Sequence, residues 1–144
     1  MKSIKKELPR IPKQLILADF DEIEDEAFYE NCLFENCTLS NRQLDKVCFK
    51  HSRFINVTFE NMTFHQLELL DVEFHKCNIS NTEMIGVILH RSLLKGSKFV
   101  GCNFSEGMVL DTSFEDCFGN YSFFSYTTFK RVVFEATSLI ESDF

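Results

Sequence analysis

The sequence has 144 residues, of which 22 are acidic and 15 basic, giving a formal net charge of −7. This length fits one domain, and the acidic excess argues against direct binding of nucleic acid through its phosphates. The composition includes 17 Phe but no Trp, 5 Gly and 2 Pro, which indicates a structure that uses Phe systematically.

Residues 1–28 precede a regular repeat and are predicted to form an N-terminal cap segment. Apolar side chains that could cover the end of the repeat are Leu8, Ile11, Leu15, Ile16 and Leu17. The acidic run over 19–26 would keep that end soluble. No apolar run approaches the length of a membrane span, and the lysine-rich start does not resemble a signal peptide. We therefore expect a cytoplasmic protein with no membrane partner.

A period of five residues begins at Phe34 and continues to Phe144. Of the 23 positions in this series, 22 are apolar, and the exception is Gly119. A second series of mostly small residues lies two positions earlier. The period fits neither a helix nor an alternating strand. It predicts a backbone that turns a corner every five residues and points both series inward.

Individual units such as Cys102-Asn103-Phe104-Ser105-Glu106 resemble those of the pentapeptide-repeat family. The resemblance implies an all-β fold, a right-handed quadrilateral β-helix in which four units make one turn. Residues 29–144 would then form about six coils, and strands stacked at about 4.8 Å would give a rod of about 28 Å. The series has no phase slip, so we expect no irregular loop within the rod.

Ten Phe side chains of the central series are predicted to form stacked columns in the core. Gly119 is expected to leave a gap beside Phe99 and Leu139, unless Phe118 or Phe123 leans in. The predicted core residues are Phe34, Phe54, Phe64, Phe74, Phe99, Phe104, Phe114, Phe124, Phe129 and Phe134.

Cysteine and histidine give no sign of a catalytic or metal site. Five of the six Cys lie on the inward series, where Cys acts as a small hydrophobic residue, and only Cys48 points outward, where it could be modified. The four His lie on outward positions with no ligand spacing between them. No nucleophile, phosphate-binding or metalloprotease motif occurs. We expect no enzyme activity, cofactor or metal.

The outward positions predict a partner-binding side on two adjacent faces. One set of candidates is acidic, and the whole charge surplus of the rod is assigned to it: Asp45, Glu60, Glu68, Glu83, Glu106, Glu141 and Asp143. A second set is apolar and could anchor a protein interface: Ile85, Ile88, Met108, Tyr121, Phe123 and Tyr126.

Within the family, the proline-containing start and the runs at 114–117 and 139–144 resemble the Qnr-type quinolone-resistance proteins. That resemblance implies a non-enzymatic DNA mimic that binds DNA gyrase or topoisomerase IV and protects them from fluoroquinolones. Qnr-type proteins dimerise through C-terminal coils and a helix, whereas this sequence stops at Phe144, a core position. We therefore expect either a member shortened at its C-terminus or a homodimer through that end.

The alternative is a structural or regulatory interaction module with a different protein partner. Ile85, Ile88 and Tyr126 would then matter more than the acidic residues.

Overall fold

The protein, described here from a computed structural model covering residues 5–144, consists of strands and turns. The strands are β1 (Ile16–Leu17), β2 (Phe28–Glu30), β3 (Cys32–Glu35), β4 (Thr38–Asp45), β5 (Cys48–Ile55), β6 (Thr58–His65), β7 (Glu68–His75), β8 (Ile88–His90), β9 (Leu93–Lys95), β10 (Met108–Glu115) and β11 (Thr128–Glu135). In this part of the chain, no helix is long and apolar enough to cross a membrane.

All strand pairs are parallel, and from β2 onward each residue lies beside the residue 20 positions further along. Phe34 lies beside Phe54, and Phe54 beside Phe74. Above them, Leu94 lies beside Phe114, and Phe114 beside Phe134. The chain therefore winds as a parallel β-solenoid of about six coils, which confirms the predicted β-helix.

A corner occurs every five residues. From Glu26 to Glu141, the corner residues have φ between about +47° and +79°. Most residues disfavour this left-handed region, whereas Gly and Asn tolerate it. Gly86, Gly96 and Gly101 occupy three corners, and Asn occupies several more, including Asn36 and Asn56.

The corners divide the rod into four faces, which we number in chain order by their inward columns. Face 1 carries the Phe34 column, face 2 the Leu39 column, face 3 the Leu44 column and face 4 the Phe49 column. A nine-stranded sheet covers faces 4 and 1. Strands β4 and β6 cover faces 2 and 3 in the early coils, and isolated bridges continue them along the rod.

Stacked phenyl rings fill the interior. The Phe34 and Phe54 rings are 5.0 Å apart, and those of Phe54 and Phe74 are 4.4 Å apart. Eight of the ten predicted core residues are at most 1% exposed. The prediction was too strong for Phe129 and Phe134, which are only partly buried because they lie in the last described coil.

The expected gap at Gly119 does not exist. The Phe99 ring occupies the space, so that a Cβ built on Gly119 would overlap its Cε2 and Cζ atoms. Phe118 and Phe123 do not lean in, and both point to solvent. Glycine is required here for close packing, and the large neighbour replaces the missing side chain.

The N-terminal segment caps the rod differently from the prediction. Phe20 and Ile23 are buried at the end of the core, where the Phe20 ring stacks on Phe34 at 4.5 Å. The proposed covering residues Leu8, Ile16 and Leu17 are each about two-thirds exposed. Residues 5–17 instead run along the outside of the rod, because their backbone groups find hydrogen-bond partners there.

Candidate functional site

Four aromatic side chains project from one coil on faces 2 and 3. Phe118 is 56% exposed, Tyr121 54%, Phe123 47% and Tyr126 90%. The register forces them outward, because inward positions of the same coil are taken by residues such as Phe124. We call these four residues the aromatic patch.

Backbone pairing fixes the aromatic patch from both sides along the rod. The Phe118 N–H donates to the Ser97 carbonyl, and the Phe123 N–H donates to the Cys102 carbonyl. Phe118 and Phe123 also form bridges with Ser138 and Asp143 of the next coil. The patch therefore stands on a rigid support rather than on a loop. Phe118 was not among the predicted surface candidates, although its place directly before Gly119 of the face 2 column marks it as outward.

The remaining apolar candidates lie nearer the middle of the rod. Ile85 and Met108 are exposed, whereas Ile88 is half-buried. Ile88 lies in register with Glu68 on one side and Met108 on the other. Glu68, Ile88 and Met108 belong to face 4, around the corner from face 3. The predicted partner-binding side therefore extends over three faces instead of two.

The other six predicted acidic residues are exposed on faces 2 and 3, and we call them the acidic surface. None of the six forms an ion pair with any residue of 5–144. Its members are Asp45, Glu60, Glu83, Glu106, Glu141 and Asp143.

The charge balance of these two faces differs from the prediction. Glu68 is on face 4, and a base, Lys98, lies on face 2 in register with Phe118. Arg42 and Lys46 are the other bases there. Within residues 30–144, these two faces therefore carry six acidic and three basic residues, and one of the seven predicted acidic residues lies elsewhere.

The corner between faces 4 and 1 carries a column of ion pairs. The Arg91 guanidinium donates to both Asp71 carboxylate oxygens, at 2.7 and 2.9 Å. Arg131 binds Asp111 in the same bidentate way, with its Nη2 2.9 Å from Oδ2. The Asp71 side chain is fully buried and that of Asp111 is 1% exposed. We call these four residues the charge ladder.

Both ladder carboxylates have lowered pKa values. Hydrogen bonds from Arg131 lower the pKa of Asp111 to about 2, against the opposing effect of burial. For Asp71, burial acts to raise the pKa, but hydrogen bonds from Arg91 and from the Arg10 amide, together with the Arg91 charge, outweigh it. Both aspartates occupy outward corner positions of the repeat, yet they are buried because arginines of the next coil and the N-terminal backbone cover them.

The segment 5–17, which we call the strap, lies along the charge ladder. The Glu7 N–H donates to Asp111 Oδ1 at 3.3 Å, and the Arg10 N–H donates to Asp71 Oδ1 at 3.2 Å. The Arg10 carbonyl accepts a hydrogen bond of 2.7 Å from His51 Nδ1. The strap thus covers a corner diagonally opposite the one that carries Tyr121.

Three potential metal-binding side chains meet beside the strap. Donor atoms of Glu7, His90 and Asp111 all lie within 4.8 Å of one another. Asp111 is already bound by Arg131, however, and Arg91 Nη1 lies 3.4 Å from Glu7. Two guanidinium groups compete with any cation for these carboxylates, so the cluster serves to attach the strap.

The outward Cys48 is a poor nucleophile in this fold. Its side chain is half-buried, and burial followed by the Glu68 carboxylate raises the pKa of its thiol to about 11. Thiolate is the reactive form, so little of it is present at neutral pH. The six cysteines are free thiols.

Comparison with known proteins agrees with this architecture. The family described as "Pentapeptide repeat region" matches residues 28–104. The chain belongs to the pentapeptide-repeat family. The uncharacterized protein YisX of Bacillus subtilis (strain 168) is 38% identical over 132 residues, which cover 91% of this chain and 62% of YisX. The chain thus spans less than two thirds of the length of that relative.

Two solved structures were found to be similar, and one of them reaches a TM-score of 0.50. A trypsin-treated variant of QnrB1, a plasmid-mediated fluoroquinolone resistance protein, superposes with a TM-score of 0.50 at 13% identity, covering 88% of this chain and 86% of that chain. Rfr23 from the cyanobacterium Cyanothece 51142 has a TM-score of 0.43 at 13% identity, covering 80% and 89%. At 13% identity, the likeness to QnrB1 shows the fold alone.

Proposed function

We propose that this pentapeptide-repeat protein is a non-enzymatic rod that binds another protein through the aromatic patch. The observation that supports this most directly is the exposure of four aromatic side chains on one coil. Contiguous apolar patches on soluble proteins mark interaction sites, and aromatic residues are frequent among the residues that dominate binding energy. Because coils stack along the rod axis, further coils would cover an end of the rod and leave this side open.

The charges around the aromatic patch favour a basic partner. Glu106 lies one coil before the patch, and Glu141 and Asp143 lie one coil after it, whereas Lys98 is the nearest base on these faces. Carboxylates attract Arg and Lys side chains, and the faces of Tyr and Phe rings also bind these cations. A partner surface rich in Arg or Lys would therefore bind both the carboxylates and the aromatic rings.

The test is to capture bacterial proteins with the purified rod and quantify them by mass spectrometry. Changing Tyr121, Phe123 and Tyr126 together to Ser should remove the specific partner from the captured set. A matched control changes Leu8, Leu17 and Val133 to Ser, three exposed apolar residues away from faces 2 and 3. Equal capture by both triple variants would contradict the proposal.

A second candidate function is binding of a type II topoisomerase, DNA gyrase or topoisomerase IV, with protection against fluoroquinolones. Two observations favour it: the unpaired acidic surface and the fold shared with QnrB1. Duplex DNA of about 28 Å would carry roughly 16 charges, so six carboxylates imitate it weakly. Apolar contacts would have to supply much of the affinity. This partner would place the protein in the cytoplasm.

This second candidate is tested by gyrase supercoiling with and without a fluoroquinolone, at low and moderate salt. The rod should restore supercoiling in the presence of drug, and its effect should weaken with salt. Reversal of Glu60, Glu83 and Glu106 to Lys should abolish the effect. Reversal of Glu30, Glu35 and Glu135, which are exposed on faces 4 and 1, makes the same change in net charge and should not.

The two candidates separate clearly in these assays. If the rod leaves gyrase unaffected while the aromatic substitutions still abolish capture of one protein, the partner is not a topoisomerase. Substituting Ile85, Ile88 and Tyr126 with Ser then shows whether the interface extends toward the middle of the rod.

A further inference from the structure

In a β-solenoid, each coil normally contacts only the coils next to it. The side-chain hydrogen bonds within the rod of this protein follow that rule, joining residues 23 or fewer positions apart. The strap is different. Its bond from Glu7 to Asp111 spans 104 positions, and its bond from Arg10 to Asp71 spans 61.

The spacing of the two strap donors matches the spacing of the coils. Glu7 and Arg10 are three residues apart, and Pro9 between them favours polyproline II geometry, in which every third residue points the same way. Three residues at about 3.1 Å each cover about 9.3 Å. Asp71 and Asp111 are two coils apart, which is about 9.6 Å at 4.8 Å per coil.

The two attachment points are built alike. At each, a buried aspartate accepts two hydrogen bonds from an arginine of the next coil and one from a strap N–H. A histidine completes each set, with His51 3.7 Å from Asp71 and His90 3.6 Å from Asp111. One such attachment could be incidental, but a repeated set in the register of the strap indicates a built device.

The near end of the strap is anchored to the start of the rod. Strand β1 pairs with β3, and the Ile16 N–H donates to the Asn31 carbonyl at 2.7 Å. The strap therefore connects the first coil to the coils that contain β7 and β10, in addition to the coil-by-coil contacts of the solenoid.

We propose that the strap is a longitudinal tie that makes the coils from β3 to β10 open as one cooperative unit. The Glu7 and Arg10 N–H groups are the elements that couple distant coils. Without them, the coil containing β10 opens independently of the coil containing β5, as expected for a one-dimensional stack with nearest-neighbour contacts only.

Proline substitution tests the tie, because proline removes the N–H and is compatible with the extended backbone. The test variant of the full chain is Glu7→Pro with Arg10→Pro. One control, Glu7→Ala with Arg10→Ala, keeps both N–H donors but loses the Glu7 carboxylate that lies 3.4 Å from Arg91, so it tests whether the tie acts through the backbone donors or through that side chain. The second control, Leu8→Pro, adds a proline at an exposed position whose N–H forms no hydrogen bond within residues 5–144.

Hydrogen exchange measured by mass spectrometry in increasing urea gives the opening free energy of β5 and β10 separately. In the wild type and both controls, the two strands should open together. In the double proline variant, β10 should exchange at least about tenfold faster than β5. Equal opening of β5 and β10 in that variant would overturn the proposal, as would an equal loss in Leu8→Pro.

The single variant Glu7→Pro gives a graded result should the double variant fold poorly. It removes the Glu7 N–H bond to Asp111 and the Glu7 side-chain contact with Arg91, but it keeps the Arg10 N–H bond to Asp71. β10 should therefore separate from β5 while β7 stays coupled to β5. If β7 and β10 separate from β5 together, or if neither does, the tie does not act through these donors.

Discussion

Two diagonally opposite corners of the rod share a backbone and differ in their side chains. The corner between faces 4 and 1 carries the charge ladder under the strap. The corner between faces 2 and 3 carries Asn41, Asn61, Asn81, Gly101, Tyr121 and Glu141. On that second corner, an amide hydrogen bond of 2.9 Å joins Asn61 to Asn41, and Tyr121 and Glu141 point to solvent.

This difference shows that the repeat determines the backbone, whereas the side chains at outward positions determine whether a corner stabilises the rod or stays open for contacts. The ladder charges on the strap side are neutralised in pairs and largely withdrawn from solvent. Those on faces 2 and 3 stay unpaired beside exposed aromatic rings. We interpret the strap side as the stabilising side and the opposite side as the contact side, so substitutions should separate the two properties.

The largest loss should come from a residue that supports both sides. Phe54→Ala removes a ring that is completely buried and stacked between Phe34 and Phe74. We expect a loss of about 3–5 kcal/mol in the free energy of unfolding. Phe134→Ala, in the partly open last coil, should lose less. Urea unfolding measures both, and equal losses would contradict the burial difference.

A smaller loss, confined to the strap side, should follow from Asp71→Asn. Asparagine keeps the shape and tolerates the positive φ of 54°, but it leaves the Arg91 guanidinium without its buried counterion. We expect a loss of about 3 kcal/mol in unfolding free energy. Glu60→Ala, at an exposed and unpaired carboxylate, should have little effect. Partner binding should persist in both, and loss of binding in Asp71→Asn would weaken the separation.

Lowering the pH should also destabilise the strap side of the rod. The pKa of Asp111 is about 2 in the folded rod and close to 3.9 in an unfolded chain. Because the folded value is the lower one, the stabilisation is complete above about pH 4 and is lost as the pH falls toward 2. Urea midpoints between pH 5 and 2 should fall more steeply for the wild type than for Asp111→Asn. Parallel curves would show that this carboxylate is not coupled to folding.

The sequence could predict whatever depends on the period of five. That period places Phe34, Phe54 and Phe74 in one column and turns Tyr121 and Phe123 outward. It also contains the correct face of Glu68, since Glu68 directly precedes Leu69 of the face 4 column. The repeat alone is therefore sufficient to place Glu68 on face 4.

The charge ladder could also have been recognised. Asp71, Arg91, Asp111 and Arg131 are spaced by 20 residues, which puts opposite charges in contact in adjacent coils. The strap could not have been predicted, because residues 5–17 contain no repeat. Their hydrogen bonds to the ladder come from backbone N–H groups, which almost every residue type has. Closure of the space at Gly119 depends on the rotamer of Phe99, which a period does not determine.

Gly119→Ala should lower the free energy of unfolding by less than Asp71→Asn does. Unlike Asp71→Asn, it should also affect the contact side. The new methyl group would overlap the buried Phe99 ring, and overpacking of this kind costs about 1–3 kcal/mol. The displaced ring lies beneath face 2, next to Phe118. We expect weaker partner binding as well as lower stability. Gly86→Ala is a useful comparison, because nothing lies within 4 Å of its added Cβ and only its positive φ opposes the change.

The smallest effect on stability should come from the most exposed aromatic residue. Tyr126 is 90% exposed, so Tyr126→Ser removes almost no buried area, and its unfolding free energy should stay within about 0.5 kcal/mol of the wild type. If the aromatic patch is the contact surface, the same substitution should clearly weaken partner binding, because the exposed surface of an anchor residue becomes buried only in the complex.

Stability and binding would then respond in opposite ways to Asp71→Asn and Tyr126→Ser. Calorimetric titration against the captured partner, paired with urea unfolding of the same samples, measures both properties together. If Tyr126→Ser binds the partner normally while Glu83→Lys does not, the contact side binds through its charges. That result would favour binding of a topoisomerase over binding through the aromatic patch.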